Sequence, residues 1–150
     1  MENHRGARRT LLVTQAFVAV TALIGGLALV LGSVDPTFAM AITPPAEYLD
    51  GSWFDSYAAP GLVLAGVVGG LQALAFVFLL RARPLATFMS AMAAYAILVW
   101  IFVQMVLIPF SWLQAVYFAA GAFELGLVLL LLGLLRRPAR PRSGAARASA

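Results

Sequence analysis

The chain has 150 residues, 63% of them hydrophobic and only 11% charged, with a net charge of +4. That balance excludes an ordinary soluble domain and places the chain in the membrane class. It contains no Cys and a single His, His4, so disulfides, thiol chemistry, metal centres built on Cys or His, and histidine-based triads are excluded with it. All ten basic residues are Arg, which beside so much Ala and Leu points to a GC-rich bacterial genome. The positive charge does not imply nucleic acid, because it is not pooled on a face that could track phosphates.

Residues 1–10 form a short polar tail, expected to be cytoplasmic. A helix crosses the hydrocarbon core with about 20 apolar residues at 1.5 Å each, and four segments meet that length: Leu11–Leu31, Pro60–Leu80, Leu85–Phe110 and Trp112–Leu135. Arg8-Arg9-Thr10-Leu11-Leu12 resembles a twin-arginine export signal, with Ala39-Met40-Ala41 as a cleavage site. The apolar stretch of about 20 residues exceeds the ~7–15 of a signal core, so span one is expected to stay as a permanent helix.

Between spans one and two lies the long connection, residues 32–59. It holds Asp35, Glu47, Asp50 and Asp55 but no Arg. Its second half, PPAEYLDGSWFDSYAAPG, sets Tyr48, Trp53, Phe54 and Tyr57 among the acids. Asp50 or Ser52 is positioned to cap a short surface helix whose aromatics dip into headgroups. Such a loop reads either as a lid over the bundle mouth or as a contact surface for a partner or lipid. The turn Arg81–Pro84 joins spans two and three as a tight hairpin, and Pro109-Phe110-Ser111 joins three and four.

Orientation follows from the Arg residues. Arg5, Arg8 and Arg9 precede span one, Arg81 and Arg83 fall in the second connection, and Arg136, Arg137, Arg140, Arg142 and Arg147 follow span four. All lie on one side and the four loop acids on the other, so both termini are expected in the cytoplasm. The expected architecture is all-α: a polytopic membrane protein of four transmembrane helices in an antiparallel bundle, domain 11–135, in the inner membrane. The tail 136–150, RRPARPRSGAARASA, has no apolar periodicity and is expected to be disordered. It either enforces topology or touches anionic lipid headgroups.

In lipid, helices associate through close packing of small residues and through hydrogen bonds. Each span carries such a stripe at helical spacing. Span one offers Thr14, Thr21, Gly25, Ala28 and Gly32. Span two offers Gly61, Ala65, Gly69, Gln72 and Phe76, with a Gly66–Gly70 GxxxG beside them. Span three aligns Ala93, Ala96, Trp100 and Gln104; span four aligns Tyr117, Ala120, Gly121, Glu124 and Val128.

Glu124 is the one acid inside a span. It lies about 11 residues from the cytoplasmic end, Gln72 about eight and Thr21 about ten, so all three fall near one depth. The simplest arrangement bonds Glu124 to Gln72, with Thr21 as a further partner. Tyr95 has the same depth but lies opposite Gln104, so only one of that pair can face inward, and the spacing does not choose. An intramembrane carboxyl is by default a functional-site hypothesis, and desolvation favours its neutral form. Two readings stay open. Glu124 either relays protons or binds a cationic or lipidic solute, or it pins helix pairing, a role worth about 0.6–2 kcal/mol. Gln104 and Gln114 flank the outer turn with Trp100, Trp112 and Tyr117, which read as an interfacial aromatic belt before a ligand box.

Pro60-Gly61, the Gly69-Gly70 pair, the Arg81-Ala82-Arg83 turn and the Ala-rich third span make the middle of the chain resemble small bacterial four-helix membrane proteins of the DoxX-like kind. Some relatives are linked to quinone-dependent oxidation, which the resemblance allows; no Cys, internal His or cofactor motif here supports it. Small multidrug transporters are also short four-helix proteins, but they carry their membrane carboxylate in the first span, which lacks one here. No nucleophile–base pair, metal cluster or phosphate loop can be assembled from these residues. The sequence is therefore read as a non-enzymatic structural or accessory membrane protein without cofactor or metal. Its expected partners are the bilayer and a membrane-protein subunit or second copy. Transport through Glu124 is the alternative.

Overall fold

The computed structural model describes residues 2–50 and 54–135. Among them there is no strand, and helices account for about four-fifths of the described residues. We number these α1 (Glu2–Val34), α2 (Pro36–Ile42), α3 (Ala58–Leu80), α4 (Ala86–Leu107) and α5 (Trp112–Leu131); a 3₁₀ turn, Ala46–Leu49, lies between α2 and α3. Four of them, α1, α3, α4 and α5, are long and apolar enough to cross a membrane.

Several boundaries differ from the sequence reading for local reasons. Helix α1 begins at Glu2, so most of the expected polar tail is helical. Its 33 residues reach about 50 Å, well beyond a hydrocarbon core of about 30 Å. Helix α4 stops at Leu107 because Ile108 precedes Pro109 and is extended, at φ −129° and ψ 153°. Helix α5 ends at Leu131, where Gly133 turns the chain at φ 76°. The connection after α1 contains a real helix. Asp35 caps α2 by accepting the Thr37 N–H at 2.8 Å, with Pro36 in the first turn, where its missing N–H is no loss. Asp50 ends the 3₁₀ turn instead of starting a helix, its N–H donating to Glu47 O. Ser52 and Trp53 lie outside the described residues, as does the Arg-rich tail 136–150.

The four long helices form a ring in which α1 packs on α3 and α5, and α4 packs on α3 and α5. Helices α1 and α3 approach most closely at Gly26 and Gly61. A Cβ on Gly26 would stand 2.5 Å from Gly61 O and 2.6 Å from Ala65 N. Gly121 does the same for α5 against α4, where a Cβ would meet Ile97 at 2.8 Å. By contrast Gly66 and Gly70 face open space, so the GxxxG is not a packing seam. Residues Val63–Gly69 of α3 are wound as π-helix, and the Gly70 N–H reaches Ala65 O. At the arginine end, Arg8 of α1 donates to the Leu79 carbonyl of α3 at 2.9 Å, which also accepts the Ala82 N–H of the turn at 3.2 Å.

Two apolar layers fill the ring. Toward the arginine end Leu11, Leu79, Ala86, Leu127 and Val128 pack together. Toward the end carrying the 35–57 connection, hereafter the loop end, Val18, Ala22, Val68, Ile97 and Ile101 do so.

Candidate functional site

Between those layers every long helix contributes a polar side chain. Gln15 of α1 follows Leu11 by one turn and precedes Val18. Gln72 of α3 lies between Val68 and Leu79, Ser90 of α4 between Ala86 and Ile97, and Glu124 of α5 between Gly121 and Leu127. All four are 0% exposed. Helical spacing therefore stacks them as one polar layer between two apolar ones.

Glu124 and Gln72 meet as their spacing predicts. Gln72 Nε2 donates to Glu124 Oε2 at 2.8 Å and to the Ala93 carbonyl at 3.4 Å. Helices α3 and α5 are not neighbours in the ring, so this amide reaches across the interior to one helix while touching α4 as well. The layer also carries unused capacity. Glu124 Oε1, Gln72 Oε1, Ser90 Oγ and both amide atoms of Gln15 are buried without a partner among the described residues.

Two expected members do not belong to it. Thr21 Oγ1 bonds back to the carbonyls of Phe17 at 2.8 Å and Val18 at 3.2 Å on its own helix, a common way for a helical threonine to satisfy itself. Tyr95 is 58% exposed and faces outward, which leaves Gln104 as the partly buried member of that pair. Gln15 and Ser90 take the two places instead. Gln15 could have been found by extending the Leu11, Val18, Ala22 spacing along α1, since it completes that face.

The loop end is built differently. A cavity of about 540 Å³ opens between α3 and α4, walled by Val67, Leu71, Tyr95 and Val99 and covered by Tyr48, Phe54 and Tyr57. A second, of about 410 Å³, lies among α1, α4 and α5 and includes Thr21, Gln114 and Tyr117. Pro44, Tyr48, Val68, Trp100, Gln104 and Ile108 line both. Tyr48 thus borders both spaces, and Phe54 and Tyr57 border the first, whose Tyr95 and Val99 face outward from the ring. The Tyr57 hydroxyl donates to Pro45 O at 2.8 Å, closing the loop on itself. Burial, and then the neighbouring Tyr48, hold that hydroxyl above the ordinary tyrosine range, so it stays a donor at neutral pH. Trp112 is 81% exposed and lines neither cavity; it meets Phe110, which borders the second, edge-on at 6.2 Å. Trp100 and Tyr117 pack instead against the apolar layer of the loop end. Neither cavity lining includes Gln15, Gln72, Ser90 or Glu124, so the polar layer and the cavities are separate features.

The turn into α5 is fixed by a capping box. Ser111 Oγ accepts the Gln114 N–H at 3.4 Å, and Gln114 Oε1 accepts the Ser111 N–H at 3.0 Å. Comparison with protein-family models, curated proteins and solved structures finds no match to the chain.

Proposed function

We propose that the chain is a small integral protein of the bacterial inner membrane, an antiparallel bundle of four spans with both termini cytoplasmic. Its role is structural or accessory, as a non-enzymatic subunit of a larger membrane assembly. The observation that carries this reading is the Gln72–Glu124 bond across the interior. It ties helices that do not otherwise pack and gives the buried carboxyl a structural task. Lipid offers no hydrophobic drive between helices, so a hydrogen bond of this kind selects one packing of the ring. The described arginines and the loop acids Asp35, Glu47, Asp50 and Asp55 fall at opposite ends, which supports the orientation.

Co-purification from native membranes in mild detergent tests the accessory role: a stoichiometric partner or a second copy is expected, and a lone monomer with measurable turnover contradicts it. Reporter fusions at Ala150 and near Asp50 test the orientation; an extracytoplasmic signal from the former overturns it.

One observation favours a second reading, in which Glu124 carries protons or a small cationic or lipidic solute. Glu124 Oε1 and its polar neighbours have unused acceptors and donors at one depth. Glu124→Gln separates the two, because it keeps the bond to Gln72 but cannot ionise. Loss of a pH-dependent flux in liposomes, with the fold intact, supports transport; an unchanged assembly and no flux in either protein supports the structural role.

A further inference from the structure

The capping box at the start of α5 leaves one of its members with an unused function. Gln114 Oε1 accepts the Ser111 N–H, and only the oxygen of the amide can accept, so that bond fixes which way the amide is turned. Nε2 is then purely a donor. It belongs to a side chain only 3% exposed and has no acceptor among the described residues. Buried donors in folded proteins are nearly always paired, and one that is not invites a partner from outside the chain.

Gln114 lines the 410 Å³ cavity. Together with the 540 Å³ cavity beside it, this space falls in the range of small-molecule sites, roughly 300–1,000 Å³. Among the described residues neither lining includes a charged side chain. An occupant must therefore be neutral where it is buried, largely apolar, and equipped with an oxygen that accepts. Position narrows this further. Gln114 is the third residue of α5, about one turn inside the loop end, whereas Leu64, Val68 and Ile97 line the same cavity deeper in the ring. An acceptor belongs near the helix end and an apolar chain beyond it.

The geometry points to a site for the acyl ester of a glycerolipid. The ester carbonyl accepts from Gln114 Nε2, the acyl chain runs into the cavity past Val68, and the headgroup stays outside. This inference rests on the membrane placement proposed above, but not on any role for Glu124. Tyr48, which borders both cavities from the loop, forms the outer wall.

The test compares an ester with an ether. Dioleoylglycerol, its dialkyl ether analogue lacking both carbonyls, and dioleoyl-phosphatidylglycerol are titrated against the full chain in detergent, by native mass spectrometry and thermal shift. The ester is expected to bind saturably, and the ether about tenfold more weakly, because an ether oxygen is a poorer acceptor than a carbonyl and does not reach out from the chain as the carbonyl oxygen does. Binding by the phospholipid ester as well assigns the site to a bilayer lipid; binding by dioleoylglycerol alone assigns it to a neutral one. Gln114→Glu keeps an oxygen for the Ser111 N–H and, ionised at alkaline pH, has no hydrogen to donate, so its ester-to-ether ratio is expected to fall to about one. Equal affinity for ester and ether in the parent chain, no saturable binding, or an undiminished ratio in a folded Gln114→Glu overturns the assignment. If that variant does not fold, the parent's ester-to-ether ratio decides alone.

Discussion

Replacing Glu124 by Leu removes the acceptor that Gln72 Nε2 reaches at 2.8 Å. The amide keeps only the Ala93 carbonyl, at 3.4 Å, for its two hydrogens. The hydrogen that loses its partner has no water to turn to, since Gln72 is 0% exposed. An unsatisfied buried donor costs about 1–3 kcal/mol in soluble proteins, while side-chain bonds between membrane helices average about 0.6 kcal/mol and reach about 1.7. Part of the loss is recovered, because Glu124 Oε1 is itself unpaired and disappears with the substitution. The expected net effect of Glu124→Leu is a destabilisation of about 1 kcal/mol. Glu124→Gln presents an oxygen of the same reach to Gln72 and is expected to stay within about 0.5 kcal/mol of the parent. Reversible unfolding in mixed micelles, followed by circular dichroism, measures both. A Leu variant as stable as the parent would refute the reasoning, and so would a Gln variant as destabilised as the Leu one.

Three further outcomes are expected. Gly26→Ala should destabilise by about 1–3 kcal/mol, because its Cβ would press on backbone atoms of Gly61 and Ala65, whereas Gly66→Ala, which meets open space, should be tolerated in the same unfolding assay. Ala82 closes the α3–α4 turn at φ 49°, a left-handed conformation that disfavours a Cβ. Ala82→Gly should therefore raise stability by about 0.5 kcal/mol after the entropy of the freer unfolded chain is subtracted. The bond from the Thr37 N–H holds the Asp35 carboxyl below its ordinary range, so the charged cap on α2 is complete at neutral pH and weakens as pH falls through that depressed value. Protection of the Thr37 amide, taken as its exchange rate relative to the intrinsic rate at each pH, should fall there in the parent and much less in Asp35→Asn, whose neutral acceptor does not titrate.

The long helices were legible because length and hydropathy alone determine them, and the Gln72–Glu124 pair because equal depth on small-residue faces brings two polar groups together. Thr21 misled for a physical reason: a hydroxyl on a helix can bond its own preceding turn, so its presence says little about which face is inside. Gln15 has an amide too large for that and sits on the Leu11, Val18, Ala22 face, which made it the better guide. Ser90 is hidden in an Ala-rich run where nothing but tertiary contact sets it apart. The cap on α2 was missed in favour of Asp50 and Ser52, although Asp35-Pro36 pairs an N-cap acid with a first-turn proline. The π-helical stretch of α3 was not legible, since Val63–Gly69 reads as an ordinary apolar helical run. The donor-only state of Gln114 likewise needed the Ser111 bond to be seen.

A double-mutant cycle between Gln72→Leu and Glu124→Leu, measured by unfolding in bicelles, tests most directly the claim that a bond across the interior fixes the packing. Each single variant strands the other partner, while the double variant strands neither, so the two effects should fall short of adding by about 0.6–1.7 kcal/mol. Strict additivity would contradict the account, because it would mean that the two side chains, 2.8 Å apart in the ring, do not sense each other.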